Sequence, residues 1–153
     1  MHQIIRISSA AALLVAMSGM AVAQGGSPDH AFVVSERVSS ATSLDLGTPG
    51  AGPGDMFTGT GDLFDAHGAK IGTSTYTCIT AAEGVSQCSQ VYAVPGGKIM
   101  TAGTTHPDYS ASPIFDARLA VVGGTGRYAG AAGELRLVQS TTSEATLTFH
   151  LAR

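Results

Sequence analysis

Short runs of alternating apolar and polar residues, separated by Gly, Pro and Asp, recur along the chain from about residue 30 onwards. Long runs with the apolar spacing of a helix are missing from this part of the sequence. The pattern predicts an all-β fold, a sandwich or a barrel. The predicted strands span residues 30–38, 56–65, 70–80, 87–94, 98–104, 114–122, 133–140 and 145–151.

The last three predicted strands alternate most clearly. One face carries apolar side chains: Phe115, Ala117, Leu119, Val121, Leu135, Leu137, Leu147, Phe149 and Leu151. The other face carries polar ones: Asp116, Arg118, Glu134, Arg136, Thr146, Thr148 and His150. Such alternation indicates one buried and one solvated face. A closed barrel of eight antiparallel strands would hide every edge and enclose a core or one small ligand.

The four charged residues on the polar face allow two interpretations. Asp116, Arg118, Glu134 and Arg136 could form a polar site that orients a ligand, or a solvated outer surface of ion pairs. The regular alternation of their apolar neighbours favours the outer surface. Each such pair is worth only about 0–1 kcal/mol.

Residues 1–23 differ from the rest of the chain. Arg6 precedes an apolar run over 10–22, and Ala21-Val22-Ala23 resembles a cleavage site. These features predict a secretory signal peptide, which leaves one domain over 24–153 that is secreted or periplasmic. The apolar run is shorter than the roughly 20 residues that span a bilayer, so we expect no stable membrane anchor.

The two cysteines, Cys78 and Cys88, lie in neighbouring predicted strands around a turn at Gly84. A hairpin centred near Glu83 would place them opposite each other. In an exported protein this arrangement predicts a disulfide. The alternative is a pair of free thiols, one of them functional.

The composition of residues 24–153 argues against several functions. Seven basic and eleven acidic residues give a net charge of −4, which is unfavourable for nucleic-acid binding. His30, His67 and His150 are scattered without metal-ligand spacing. The sequence therefore indicates no metal and no cofactor.

The segment "AVVGGTGRYAGAAGEL", residues 120–135, loosely matches a dinucleotide-binding glycine loop through Gly123, Gly126 and Ala129. That function requires a helix directly after the turn. Gly130 and Gly133 disfavour a helix, and the following residues alternate like a strand. We therefore expect a glycine-rich connection between two barrel strands and no nucleotide site.

The same segment resembles the signature hairpin of the allene oxide cyclase and dirigent barrel superfamily. "GDLFDAHGAKIGTSTYTC" (61–78) and "GGKIMTAG" (96–103) are also similar to cyclase segments. The resemblance implies an eight-stranded antiparallel barrel with an apolar cavity, often assembled as a homotrimer. Plant cyclases use that cavity to steer ring closure of a fatty-acid epoxide, and dirigent proteins steer the coupling of phenoxy radicals. Both act mainly by positioning the ligand.

The resemblance transfers few catalytic residues. Cys78 matches a cavity cysteine of the plant cyclases, but Thr104 and Thr105 stand in place of their catalytic tyrosine. Glu36 lies near the position of the catalytic glutamate in uncertain register. Tyr76 and Tyr92 share a face with the cysteines, where they could line a cavity or pack beside a disulfide.

A polar loop, "THPDYS" over 105–110, could supply a base or a lid at the cavity mouth, or could simply be solvated. The ligand-cavity candidates are Tyr76, Cys78, Tyr92, Thr105, His106 and Tyr109. Three functions stay open: a barrel that steers cyclisation or isomerisation of a small apolar ligand, a non-catalytic binding barrel, and a filled structural barrel.

Overall fold

The structure, a computed structural model, describes residues 30–82, 84–108 and 110–152. All eight predicted strands are confirmed. The observed strands are β1 (His30–Leu44), β2 (Met56–Phe64), β3 (Lys70–Ala82), β4 (Val85–Val94), β5 (Gly97–Thr105), β6 (Phe115–Gly126), β7 (Ala132–Gln139) and β8 (Glu144–Ala152). The predicted signal peptide and the start of the domain lie outside the described residues.

The strands close into one antiparallel barrel. This confirms the prediction of a barrel rather than a sandwich. Each strand pairs with the next in sequence, and β8 pairs with β1. Closure brings the first and last strands of the barrel together, with His30 opposite Leu151.

The core lies inside the barrel and follows the predicted alternation. On β6, Ala117, Leu119 and Val121 are buried whereas Asp116 and Arg118 are exposed. Residues of β7 and β8 continue the same buried face across the sheet. The main buried cluster comprises Val34, Leu63, Tyr92, Val94, Ile99, Leu119, Val121, Leu135, Leu137, Ala145, Leu147, Phe149 and Leu151.

Strand β1 continues to Leu44, beyond the predicted end at Val38. Its pairing with β2 shifts by one residue between Val38 and Ser40, as in a β-bulge. A bulge inserts one unpaired residue, so the alternation changes phase and no longer follows a single period of two. The exposed polar residues after it therefore do not indicate a strand on their own.

Strand β6 also extends further than predicted and contains the first half of the glycine-rich segment. Its last four residues pair with β5, where Gly124 lies opposite Ile99. A Cβ atom at Gly124 would lie 2.5 Å from the carbonyl oxygens of Lys98 and Tyr128. The glycine is needed because two backbones approach closely. The connection that follows spans residues 127–131 and leads directly into β7.

The outer surface differs between the two sides of the barrel. On β6 and β7, Arg136 forms a two-pronged ion pair with Asp116 at 2.6–3.0 Å, and Arg118 pairs with Glu134. These groups are partly or largely exposed, which confirms the solvated outer surface. Among the described residues, no helix is long and apolar enough to cross a membrane.

Candidate functional site

Strand β1 carries an acidic side chain into the barrel. Glu36 is 6% exposed and lies between Leu63 of β2 and Ala145 of β8 in the strand pairing. The Ser74 hydroxyl of β3 donates a hydrogen bond to Glu36 Oε1. No other acidic or basic side chain of the described residues is buried to this degree. A carboxyl group in such surroundings is costly to ionise.

Glycines of β2 make room for this group. A Cβ atom at Gly61 would lie 2.6 Å from Glu36 Oε1 and 2.7 Å from Ser74 Oγ. A Cβ atom at Gly59 would collide with the Tyr76 hydroxyl. The wall of β2 thus lacks side chains where the carboxyl and the phenol lie.

Two tyrosines lie near Glu36. Tyr76 is 9% exposed, and its ring lies 5.6 Å from that of Phe57, centroid to centroid. Tyr92 is 1% exposed, donates a hydrogen bond to Gln90 Oε1, and meets the Phe149 ring edge-on at 5.1 Å. Both tyrosines point into the barrel, on the same strand face as Cys78 and Cys88.

Thr101 of β5 lies next to Gln90 in the strand pairing and is 2% exposed. Among the described residues, its hydroxyl oxygen has no hydrogen-bond partner of acceptable geometry. Buried polar atoms are normally paired, so this one needs an explanation. We call the six inward residues the polar cluster: Glu36, Ser74, Tyr76, Gln90, Tyr92 and Thr101.

Burial determines the protonation of the polar cluster. Desolvation raises the pKa of Glu36, and the Ser74 hydrogen bond offsets only part of that effect. Desolvation, with the Glu36 charge as a smaller cause, raises the pKa of Tyr76 to about 12. The same two causes raise the pKa of Tyr92, while the nearby Thr101 hydroxyl acts in the opposite sense. Both phenols therefore keep their protons at neutral pH and can donate hydrogen bonds.

The disulfide predicted between Cys78 and Cys88 is present. The two residues are direct partners in the β3–β4 pairing, with their Cα atoms 4.0 Å apart. The Cys88 sulfur also lies 3.6 Å from the hydroxyl of Thr105, a ligand-cavity candidate that is 4% exposed. Because Cys78 is bonded, it has no free thiol to act on a ligand.

The structure does not bring every ligand-cavity candidate together. Tyr76, Cys78 and Tyr92 project inward from β3 and β4, and Thr105 does so from the end of β5. His106 is exposed just beyond β5, away from the interior. Tyr109 lies outside the described residues.

Two clefts lie outside the polar cluster. A cleft of about 540 Å³ lies at the end of the barrel formed by Phe32, Leu151 and the residue 127–131 connection. A shallower groove of about 440 Å³ crosses the outside of β1–β4 and is lined mainly by hydroxyl side chains: Ser40, Thr42, Thr58, Thr60, Thr75, Thr77 and Ser89. Tyr76, whose hydroxyl lies beside Gly59, is also among the residues that line this groove.

The polar cluster can exchange a proton and orient a ligand. A carboxyl with a raised pKa is a suitable general acid or base, and a neutral phenol is a hydrogen-bond donor. Within the described parts of the chain, no group of three His, Cys, Asp or Glu residues could hold a metal ion.

Sequence reasoning missed most of this cluster, although one signal was available. Phe32, Val34, Glu36 and Val38 follow each other at every second position of β1. A charged residue at the apolar phase of a strand indicates an inward charge. Ser74 gives no such signal, because Thr73, Thr75 and Tyr76 around it also carry hydroxyl groups. Gln90 and Thr101 give none because they are uncharged.

Comparison with known proteins agrees with this architecture. The fold is similar to pyocyanin demethylase, with a TM-score of 0.71 and 21% identity over 80% of this chain and 100% of that one. It is also similar to the Diels-Alderase AbmU from Streptomyces koyangensis, with a TM-score of 0.64 and 23% identity. That match covers 80% of this chain and 64% of AbmU.

A third similar structure is the pterocarpan synthase dirigent protein GePTS1, with a TM-score of 0.59 and 13% identity over 80% of this chain and 82% of that one. Such low identities establish a shared fold only. No curated protein matches the chain. The profile of the allene oxide cyclase barrel-like domain matches residues 35–151, from within β1 to within β8. The chain therefore belongs to the allene oxide cyclase barrel-like family.

Proposed function

We propose that this barrel binds a small, largely apolar ligand beside Glu36 and steers its cyclisation or isomerisation. The observation that carries the proposal is the buried carboxyl of Glu36, which no basic side chain of the described residues neutralises. A barrel that served only as a scaffold would be more stable with an apolar residue there. Similarity to proteins named as a Diels-Alderase and a dirigent synthase supports cyclisation or coupling as the reaction class.

In the proposed reaction, the apolar side chains hold the ligand in one conformation, and the polar cluster acts on one end of it. Glu36 accepts or returns a proton, and the Tyr76 phenol donates a hydrogen bond to an oxygen that gains negative charge. Tyr76 packs over Gly59, one inward position along β2 from Gly61, whose missing side chain leaves room for Glu36.

A second candidate function is a barrel that binds a ligand without chemistry or only provides structure. The packed leucine and phenylalanine side chains of β6–β8 favour it, because they leave this half of the interior filled. Native mass spectrometry of the protein purified from its producer tests both candidates. A bound small molecule that is lost in the Gly61→Leu variant supports an interior site. Recovery of the protein without any adduct, together with a crystal structure showing a filled interior, would refute ligand binding.

We also propose that the protein is exported, on the basis of residues 1–23, and that it self-associates as a homotrimer. The uncharged face supports self-association: it comprises Ser40, Thr42, Thr58, Thr60, Thr75, Thr77, Ser89, Val91, Met100 and Ala102 on the outside of β1–β5. Interface cores are depleted in charge, whereas the outside of β6–β8 is rich in it. Sedimentation should show that the Thr75→Arg variant is a monomer, whereas the control variant Thr146→Arg keeps the association state of the wild type. A monomeric wild-type protein would contradict self-association.

A further inference from the structure

The charge balance inside the barrel is one-sided. Glu36 is the buried ionisable acid of the polar cluster. Every described Lys, Arg and His side chain belongs to an exposed residue: His30, Arg37, His67, Lys70, Lys98, His106, Arg118, Arg127, Arg136 and His150. An anionic ligand group placed in the interior would thus meet a carboxyl and no cation.

The aromatic rings beside Glu36 have the same electrostatic preference. Tyr76 lies against Phe57, and Tyr92 lies against Phe149. The face of an aromatic ring is negative and attracts cations, most strongly in desolvated sites. Tyr76 and Tyr92 are both close enough to feel the charge of Glu36. A carboxylate near two such rings is a suitable environment for an organic cation.

The hydrogen-bonding capacity of the polar cluster is incompletely used. Glu36 receives one side-chain hydrogen bond, at Oε1 from Ser74. Thr101, 2% exposed, has a hydroxyl oxygen without a partner among the described residues. The oxygen atoms of both residues can accept, so a ligand with N–H groups would satisfy them. The unpaired Thr101 oxygen and the uncompensated acid point to the same type of ligand.

We propose that the interior site is selective for an organic cation, with a positively charged nitrogen paired to Glu36 and an apolar ring against Tyr76 and Tyr92. The inference rests on the proposed interior site and specifies the charge of its ligand. It excludes carboxylate ligands from the site, since nothing in the described interior would compensate their charge.

Ligand charge then couples to proton release. Because burial raises the pKa of Glu36, the empty site holds a proton over a wider pH range than a free carboxyl does. A cation pairs with the ionised form, so its binding expels that proton. The groups facing Glu36 are the Ser74 hydroxyl and the phenols of Tyr76 and Tyr92. Both phenols stay neutral, so Glu36 alone sets the pH dependence of binding.

Three probes that share a two-ring skeleton and differ in charge test the proposal: 1-methylquinolinium, 1-methylnaphthalene and 1-naphthoate. Equilibrium dialysis against the full chain at neutral pH should show the cation bound at least about tenfold more tightly than the anion. The Glu36→Gln variant should reduce this preference to less than about twofold. Glu134→Gln, on the outer surface, is the matched control and should leave it unchanged.

The pH dependence provides a second readout that a structural role of Glu36 would not give. Wild-type affinity for 1-methylquinolinium should rise with pH and then level off, whereas Glu36→Gln should bind it equally at each pH. Equal affinity of the wild type for all three probes, or tighter binding of 1-naphthoate, overturns the proposal and leaves interior binding intact. Failure of every probe to bind also overturns it, and the native mass measurement then decides whether an interior site exists.

Discussion

The two sides of the barrel interior are built from different kinds of residue. Strands β6–β8 contribute an apolar cluster: Leu119, Leu135, Leu137, Leu147 and Phe149, each at most 2% exposed. Strands β1 and β3–β5 contribute the polar cluster, which contains a buried acid and an unpaired hydroxyl. The apolar cluster gains free energy by leaving water, while the polar cluster loses hydration that its few hydrogen bonds replace only in part. One side therefore stabilises the fold, and the other contributes less to its stability.

The largest effect should come from the apolar cluster. Phe149 is 0% exposed, stacks on Phe32 at 4.8 Å and meets Tyr92 edge-on. Phe149→Ala should lower the free energy of unfolding by about 3–5 kcal/mol, because it removes these contacts and leaves a cavity. Urea denaturation measures the loss. A loss below about 1 kcal/mol would show that the two sides do not differ as described.

An intermediate effect is expected at the covalent link between β3 and β4. Replacing both Cys78 and Cys88 by Ala should lower the free energy of unfolding by about 2–3 kcal/mol, since the unfolded chain regains the freedom of a short closed loop. Denaturation of the double variant and of reduced wild type should agree. Unchanged midpoints in both would argue against the bond in the native protein.

The smallest effect, and the most informative one, belongs to Glu36→Gln. The raised pKa of Glu36 means that its contribution to stability is fully present below about pH 4.5, the usual pKa of a free glutamate, and is lost as pH rises through the folded pKa. The variant should match wild type near pH 4 and become the more stable of the two toward neutral pH. Thermal unfolding across this range is the measurement. Parallel pH profiles for both proteins would mean that Glu36 is solvated.

The apolar side was predictable from the sequence, since its strands alternate without interruption. Asp116 and Arg118 lie between buried neighbours on β6, so the inward and outward faces could be assigned before the structure was known. The pairing of Cys78 with Cys88 was also predictable, because a hairpin centred between their two strands places them opposite each other.

The polar side was less predictable, for two physical reasons. In β3, residues 73–77 are all hydroxyl-bearing, so hydropathy does not distinguish the inward Ser74 from its outward neighbours. In β1, the bulge after Val38 changes the phase of the strand and conceals its continuation to Leu44. His106, a ligand-cavity candidate, lies exposed just beyond β5. Its position in the sequence does not indicate which way the loop leaves the barrel, so the sequence left open whether it reaches the cavity or is solvated.

The pairing of β1 with β8 has a consequence for how the chain can be reconnected. His30 and Leu151 are partners in adjacent strands, so the start of β1 and the end of β8 lie about one strand spacing, roughly 5 Å, apart. A short linker could join them, and the chain could be opened at the Asp65–Ala69 turn instead, with every strand pairing retained. In that permuted protein the β1–β8 contact would become a local hairpin. The β2–β3 contact would then have to form between distant parts of the chain. The order in which the β1–β8 and β2–β3 contacts form during folding would therefore be reversed.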